Sequence, residues 1–226
     1  MWRTLAAVAL YSSLNTVQAL QVERVAEHPT AASAAQPHAA APLPLIRGEI
    51  TLDAHPGAVL RTLLDTARVP EWAANVESVE VLAFRPPNHY LVRTRLTLPF
   101  PLADRELISR SIHGQLGQHR YLSVIAAPDS APPDPERPRI ERAAACWQAT
   151  DLGGGQLQLR YLSYADIAPW LPEWLTSAAA LDAVEQTLSQ LPAAVAAHQH
   201  GEPVAMPALQ FSELNPLCQQ LATENP

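Results

Sequence analysis

Two cysteines, eight histidines and the absence of lysine limit the chemistry open to this 226-residue chain. Every basic side chain is arginine, so Schiff-base lysines and phosphate-binding lysine loops are excluded. His113 with His119, and His198 with His200, are the closest imidazole pairs. No cysteine or third histidine stands near either at ligand spacing, so no metal is expected, and His198 and His200 read as solvated. There is no G-x-S-x-G elbow, and neither Cys146 nor Cys218 has a histidine near it in sequence. Gly153, Gly154 and Gly155 lack the following Lys or Ser/Thr of a phosphate loop and suit a tight turn instead. Asp104, Arg105 and Glu106 could form an acid–base trio at a pocket mouth. The plainer reading is a strand-end salt bridge, worth little when exposed. No catalytic residue and no cofactor are therefore expected.

Cys146 lies in a strand-like run and Cys218 in a polar tail. Pairing between them stays open, but the favoured reading is one small buried residue and one stray thiol.

The formal net charge of -7 and pI near 5.6 provide no basic face to displace counterions, so no nucleic acid partner is expected. With 48% hydrophobic residues the chain can bury a large core, and its length fits one domain with appendages, expected as a monomer. Near the amino terminus Arg3 precedes the short apolar run Thr4 to Leu10, and Val17-Gln18-Ala19 is a small-residue cleavage pattern. A bilayer needs roughly 20 apolar residues, so residues 1–19 are expected to be a cleaved export signal. The mature chain is then periplasmic or secreted, where a disulfide can persist.

Residues 20–45 are expected to be a linker, dominated from Ala26 by alanine with Pro29, Pro37, Pro42 and Pro44. The domain is expected over residues 46–191, and residues 192–226 form a proline-rich tail that packs on it or hangs free. Inside the domain Ile50 and Leu52 mark a half-buried strand, and Val59, Leu60, Leu63 and Leu64 recur at helical spacing until Pro70. Val79, Val81 and Ala83 fall on one strand face, with Leu82 and Phe84 on the other. Tyr90, Val92, Thr94, Leu96 and Leu98 alternate with Arg93, Arg95 and Thr97. Two further runs follow, then a proline-rich loop over 128–138 and a hairpin pivoting on the three glycines. A closing amphipathic helix over Glu173 to Leu191 buries Trp174, Leu181, Val184, Leu188 and Leu191. The order is strand, helix, about six antiparallel strands and one long helix, an α+β layout with the sheet curling around that helix.

Three segments carry a resemblance: "DAHPGAVLRTLLDTARVPEW", "PLADRELISRS" and "CWQATDLGGGQLQLRYLSYADIAPWLPEWLTS". In this order they resemble the START lipid-transfer domain of the wider Bet v 1-like (polyketide cyclase/START) superfamily, in a bacterial exported member. The resemblance covers about Arg47 to Leu191. It implies a helix-grip fold, a curved antiparallel sheet wrapped around a long C-terminal helix with an internal hydrophobic cavity. It also implies binding and transfer of a sterol, phospholipid or other hydrophobic small molecule, with transient contact at a membrane surface. Sterol-holding members often carry a buried arginine where this chain has Ser111. Arg110 is one residue off, which reverses its face.

Physical reasoning points the same way. Ala178, Ala179 and Ala180 on the closing helix leave space that Leu or Phe would fill, and Leu157, Leu159, Tyr161 and Ser163 supply an apolar wall. The expected ligand-binding residues are Trp72, Leu107, Ser109, Ser111, Tyr161, Ser163, Ala178, Leu181 and Val184. An aromatase/cyclase-type enzyme acting on a polyketide-like substrate is the alternative. It requires Arg110, Tyr161 and His113 to point into the cavity.

Overall fold

The alternating runs pair into one antiparallel sheet because each has an apolar face to bury and a polar face to leave outside. The computed structural model describes residues 18–25, 43–100, 102–167 and 172–224. Within them the strands are β1 Gln18–Val25, β2 Leu45–Asp53, β3 Val76–Arg85, β4 His89–Leu96, β5 Arg105–Leu116, β6 His119–Ala126, β7 Ala143–Gly153 and β8 Gln156–Ala165. Their spatial order is β1-β2-β8-β7-β6-β5-β4-β3. The helices are α1 Pro56–Leu64, α2 Glu173–Ala197 and α3 Pro216–Glu224.

Helix α1 begins where His55 caps it, its ring Nδ1 accepting from the Gly57 amide at 3.0 Å, with Pro56 in the first turn where no amide is needed. Its expected face is in the core: Val59, Leu60 and Leu63 are buried. The β7–β8 hairpin turns on Gly153, Gly154 and Gly155, all at positive φ, as the glycine run implied.

Helix α2 closes over the inner face of the sheet. It is seated by its second half, where Leu188, Leu191 and Val195 are buried against Ile50, Leu157 and Leu159. Gly48 permits that approach, since a Cβ there would stand 2.2 Å from Leu188 Cδ1. The helix was expected to stop at Leu191, but it continues through Pro192 to Ala197. An internal proline costs about 3 kcal/mol. Burial of Val195 offsets this, and so does Arg61 of α1, whose guanidinium donates to the carbonyls of His198 at 2.7 and 3.1 Å and of Gln199 at 3.3 Å.

The sheet begins earlier than the linker reading placed it. β1 occupies residues 18–25, with Leu20 and Val22 packed on the inner core and Gln21 and Glu23 exposed. That alternation is short and adjoins the leader, so composition hid it. Most of the Ala/Pro-rich stretch, residues 26–42, lies outside the described residues, as do residues 1–17 of the expected signal.

The carboxy-terminal segment is part of the fold. Leu209, Leu214, Leu217 and Leu221 are buried on the outer face of the sheet against Leu45, Ile112, Tyr121 and Leu162. Cys218 of α3 forms a disulfide with Cys146 of β7, Cα atoms 5.1 Å apart, which corrects the stray-thiol reading. The physical reason is that Cys146 points outward, between inward Ala145 and Trp147, and α3 lies across that face. Asn215 fixes it there, donating to the carbonyls of Val124 at 2.7 Å and Ala145 at 2.9 Å and accepting from the Cys218 amide at 2.9 Å.

An apolar cavity between sheet and helix as the candidate functional site

Where α2 leaves its packed half, small side chains face the sheet and the space stays open. One lobe of about 430 Å³ lies under Thr176, Ala179, Ala180 and Ala183, against Ala143, Ala145 and Ser163. A second lobe of about 350 Å³ extends toward Trp72, Tyr90, Ser109, Ser111 and Trp147. Ala74, Leu96, Leu107, Val124, Tyr161 and Val184 line both, so the lobes adjoin. Register explains the wall. Trp147 pairs with Tyr161, Ala145 with Ser163, Leu107 with Thr94 and Ser109 with Val92, so the inward side chains of four strands converge.

The aromatic floor is continuous. Trp72 meets Trp147 edge-on with ring centroids 6.3 Å apart, and Trp147 lies 4.0 Å from Tyr161. The Trp72 indole nitrogen is sealed against the wall without a hydrogen-bond partner. Burial pushes the Tyr161 phenol pKa up, and a hydrogen bond with Ser163 opposes it, so the phenol stays neutral. Asp182 is the one charged side chain among the residues lining the first lobe, and it is exposed; no charged residue lines the second.

The structure brings Trp72, Leu107, Ser109, Ser111, Tyr161, Ser163 and Val184 to the cavity walls. Ala178 is not among them; its neighbours Ala179 and Ala180 line the first lobe instead. Leu181 packs at the flank of the inner core. Leu157 and Leu159, expected as wall residues, are fully buried under the seated half of α2, so that end is solid. Phe84 returns to the face of its partner Tyr90, 4.8 Å away, because a bulge between Val81 and Ala83 reverses the alternation. Ala74, Val124, Ala145 and Ala183 went unnamed in the sequence. Trp147 was visible there only as a strand tryptophan, and its parity with Ala145 was the available signal.

The groups weighed for catalysis are dispersed. Arg110 is exposed on the outer face, donating to Ser130 Oγ at 3.0 Å. His113 is buried, its ring Nε2 3.1 Å from the Ala205 carbonyl and its ring stacked on Tyr90, and it does not line either lobe. Glu106 is fully buried in ion pairs with Arg139 and, at 3.3 Å, with Arg93, so the trio is not an exposed strand-end bridge. Arg105 braces the mouth by donating to the Ile167 carbonyl at 2.9 Å. His198 is not solvated in a tail: its Nε2 lies 3.1 Å from Asp65 Oδ2 at the end of α2. Among the described residues no group of His, Cys, Asp and Glu could hold a metal ion.

A family model described as START domain matches residues 22–191. Among solved structures, the STAR-related lipid transfer protein from Xanthomonas axonopodis (fragment 25-204) is 22% identical, with TM-score 0.62, covering 68% of this chain and 86% of its own. Human STARD10 is 18% identical, with TM-score 0.63 and 76% of each chain covered. Human StAR-related lipid transfer protein 5 is 17% identical, with TM-score 0.58, over 70% of this chain and 77% of its own. No curated protein matches the chain.

Proposed function

Because the chain belongs to the START domain family, we propose that it binds a lipid or similar hydrophobic molecule between its sheet and α2, and carries it between membranes. The observation that carries this reading is the two-lobed apolar cavity left open by Ala179, Ala180 and Ala183. An empty apolar space of this size costs stability unless a ligand fills it. Two segments frame the first lobe: Pro99 and Leu102 before β5, and Ile167 and Thr176 around the start of α2. Beside them Phe100 is 97% exposed, and Trp174, expected on the buried face of the closing helix, is instead 72% exposed, because the first turn of α2 extends past the sheet-packed half. Aromatic side chains at such a rim favour the membrane–water interface, which supports transient docking there. No described helix is long and apolar enough to cross a membrane.

The aromatase/cyclase alternative loses its residue set, since Arg110 lies exposed on the outer face and His113, engaged with the Ala205 carbonyl and stacked on Tyr90, lines neither lobe. The mature protein is exported and acts as a monomeric carrier in an oxidising compartment. Support comes from the leader pattern and from the Cys146–Cys218 disulfide. Cleavage after Ala19 leaves the regular part of β1, since its pairing with β2 is irregular between Gln18 and Gln21 and continuous to Val25.

Native mass spectrometry of the purified protein with lipid extraction, followed by transfer between donor and acceptor vesicles, tests the reading. A co-purified lipid in about equimolar amount and accelerated transfer are expected. A folded protein that takes up no lipid and cyclises polyketide mimics overturns it. Fractionation and amino-terminal sequencing test export, with a mature chain starting at Leu20 as the expected result.

A further inference from the structure

Resting on that binding function, we propose that the lobe beside Trp72 selects an uncharged lipid with a hydroxyl or carbonyl group, held by Ser109 and Ser111. The two serines lie two residues apart on β5 and share its inward face. Ser109 is only 3% exposed, and neither hydroxyl has a hydrogen-bond partner among the described residues. Their strand neighbours offer little. Ser109 stands between Val92 and Ala126, and Ser111 between Tyr90 and Val124. A hydroxyl placed in an apolar wall is unfavourable unless something completes its hydrogen bonds. A serine donates one and accepts others, so the pair can serve an alcohol or a carbonyl equally well.

The rest of the lobe defines what the group is not. No charged side chain lines it, and Arg110, next in sequence to both serines, faces outward. A carboxylate or phosphate there would be desolvated without a counter-ion. The hydrocarbon remainder of the ligand runs past Leu107, Val124 and Val184 into the larger lobe under the alanines of α2.

The test is displacement of the uncharged probe N-phenyl-1-naphthylamine from the full mature chain by hexadecan-1-ol, hexadecane or hexadecanoate. It compares the natural protein with Ser109→Ala, Ser111→Ala and the double variant. The natural protein is expected to favour the alcohol over the alkane by about three- to tenfold for each hydroxyl engaged. In the double variant that preference should fall to about unity, with alkane affinity kept. Should the double variant fail to fold, Ser111→Ala at its half-buried position gives the same readout. Equal affinity for alcohol and alkane in the natural protein, a preference surviving in the double variant, or tightest binding of hexadecanoate each overturns the serine assignment while the carrier function stands. A folded natural protein from which none of the three displaces the probe overturns both.

Discussion

On its inner face β7 presents Ala143, Ala145 and Trp147 to a cavity, whereas on its outer face Ala144, Cys146 and Gln148 meet a packed carboxy-terminal segment. Outside, Leu209, Leu214, Leu217 and Leu221 fill the space, and Gln148 Nε2 donates to the Tyr121 hydroxyl at 2.8 Å and the Leu221 carbonyl at 3.3 Å. Inside, α2 touches the sheet firmly only at its second half. The difference teaches that one strand can carry stability on one side and vacancy on the other. A wall that must stay open on its inner side is held rigid from behind.

The sharpest way to break this contrast is to cut the cross-link. The disulfide joins residues 72 positions apart, so Cys218→Ser or full reduction is expected to cost about 4 kcal/mol, a fall in Tm of roughly 8–16 °C by thermal unfolding. A Tm unchanged by reductant would show that the strap does not support the sheet.

A matched pair of substitutions sharpens it next. Leu221→Ala, at a fully buried outer position, should cost about 3 kcal/mol in denaturant unfolding and leave lipid uptake intact. Ala183→Leu, at a position that lines both lobes, should be neutral or stabilising by about 1 kcal/mol while lipid uptake drops. If Ala183→Leu destabilises as much as Leu221→Ala, the inner face is already full and the contrast collapses.

The smallest effect is expected at His113, where the carboxy-terminal segment meets β5 through the Ala205 carbonyl. Burial lowers its pKa from 6.5, with that hydrogen bond opposing. The folded state therefore binds the proton less readily than the unfolded chain. Its contribution is present in full above pH 6.5 and is lost as pH falls through the lowered value. Against the natural protein, His113→Gln should flatten the decline in stability below pH 6.5. An identical slope in both proteins would remove His113 from the account.

Where parity alone decides, the nine-residue expectation named side chains that reach the cavity wall. Ser109, Ser111, Tyr161 and Ser163 follow from alternation along β5 and β8. It failed on the helix at Ala178, because three consecutive alanines present three faces and only packing chooses among them. Leu188 settling over Gly48 fixes the rotation of α2, and that lines the first lobe with Ala179 and Ala180. Phe84 was misassigned because a bulge is not visible in the pattern of apolar residues.

By itself, the sequence determined the local elements: strands β2 to β8 through alternation of apolar and polar residues, α1 and the closing helix through helical periodicity, and the β7–β8 turn through three glycines. Those are properties of short windows, in which side-chain spacing alone selects the conformation that buries the apolar face. Tertiary structure alone decided that Cys146 meets Cys218, that Val195 carries α2 past Pro192, that the tail sheathes the outer face, and how much space remains beneath the alanines. Each of these depends on which surfaces meet across tens of residues, and a void is defined only by all the atoms around it.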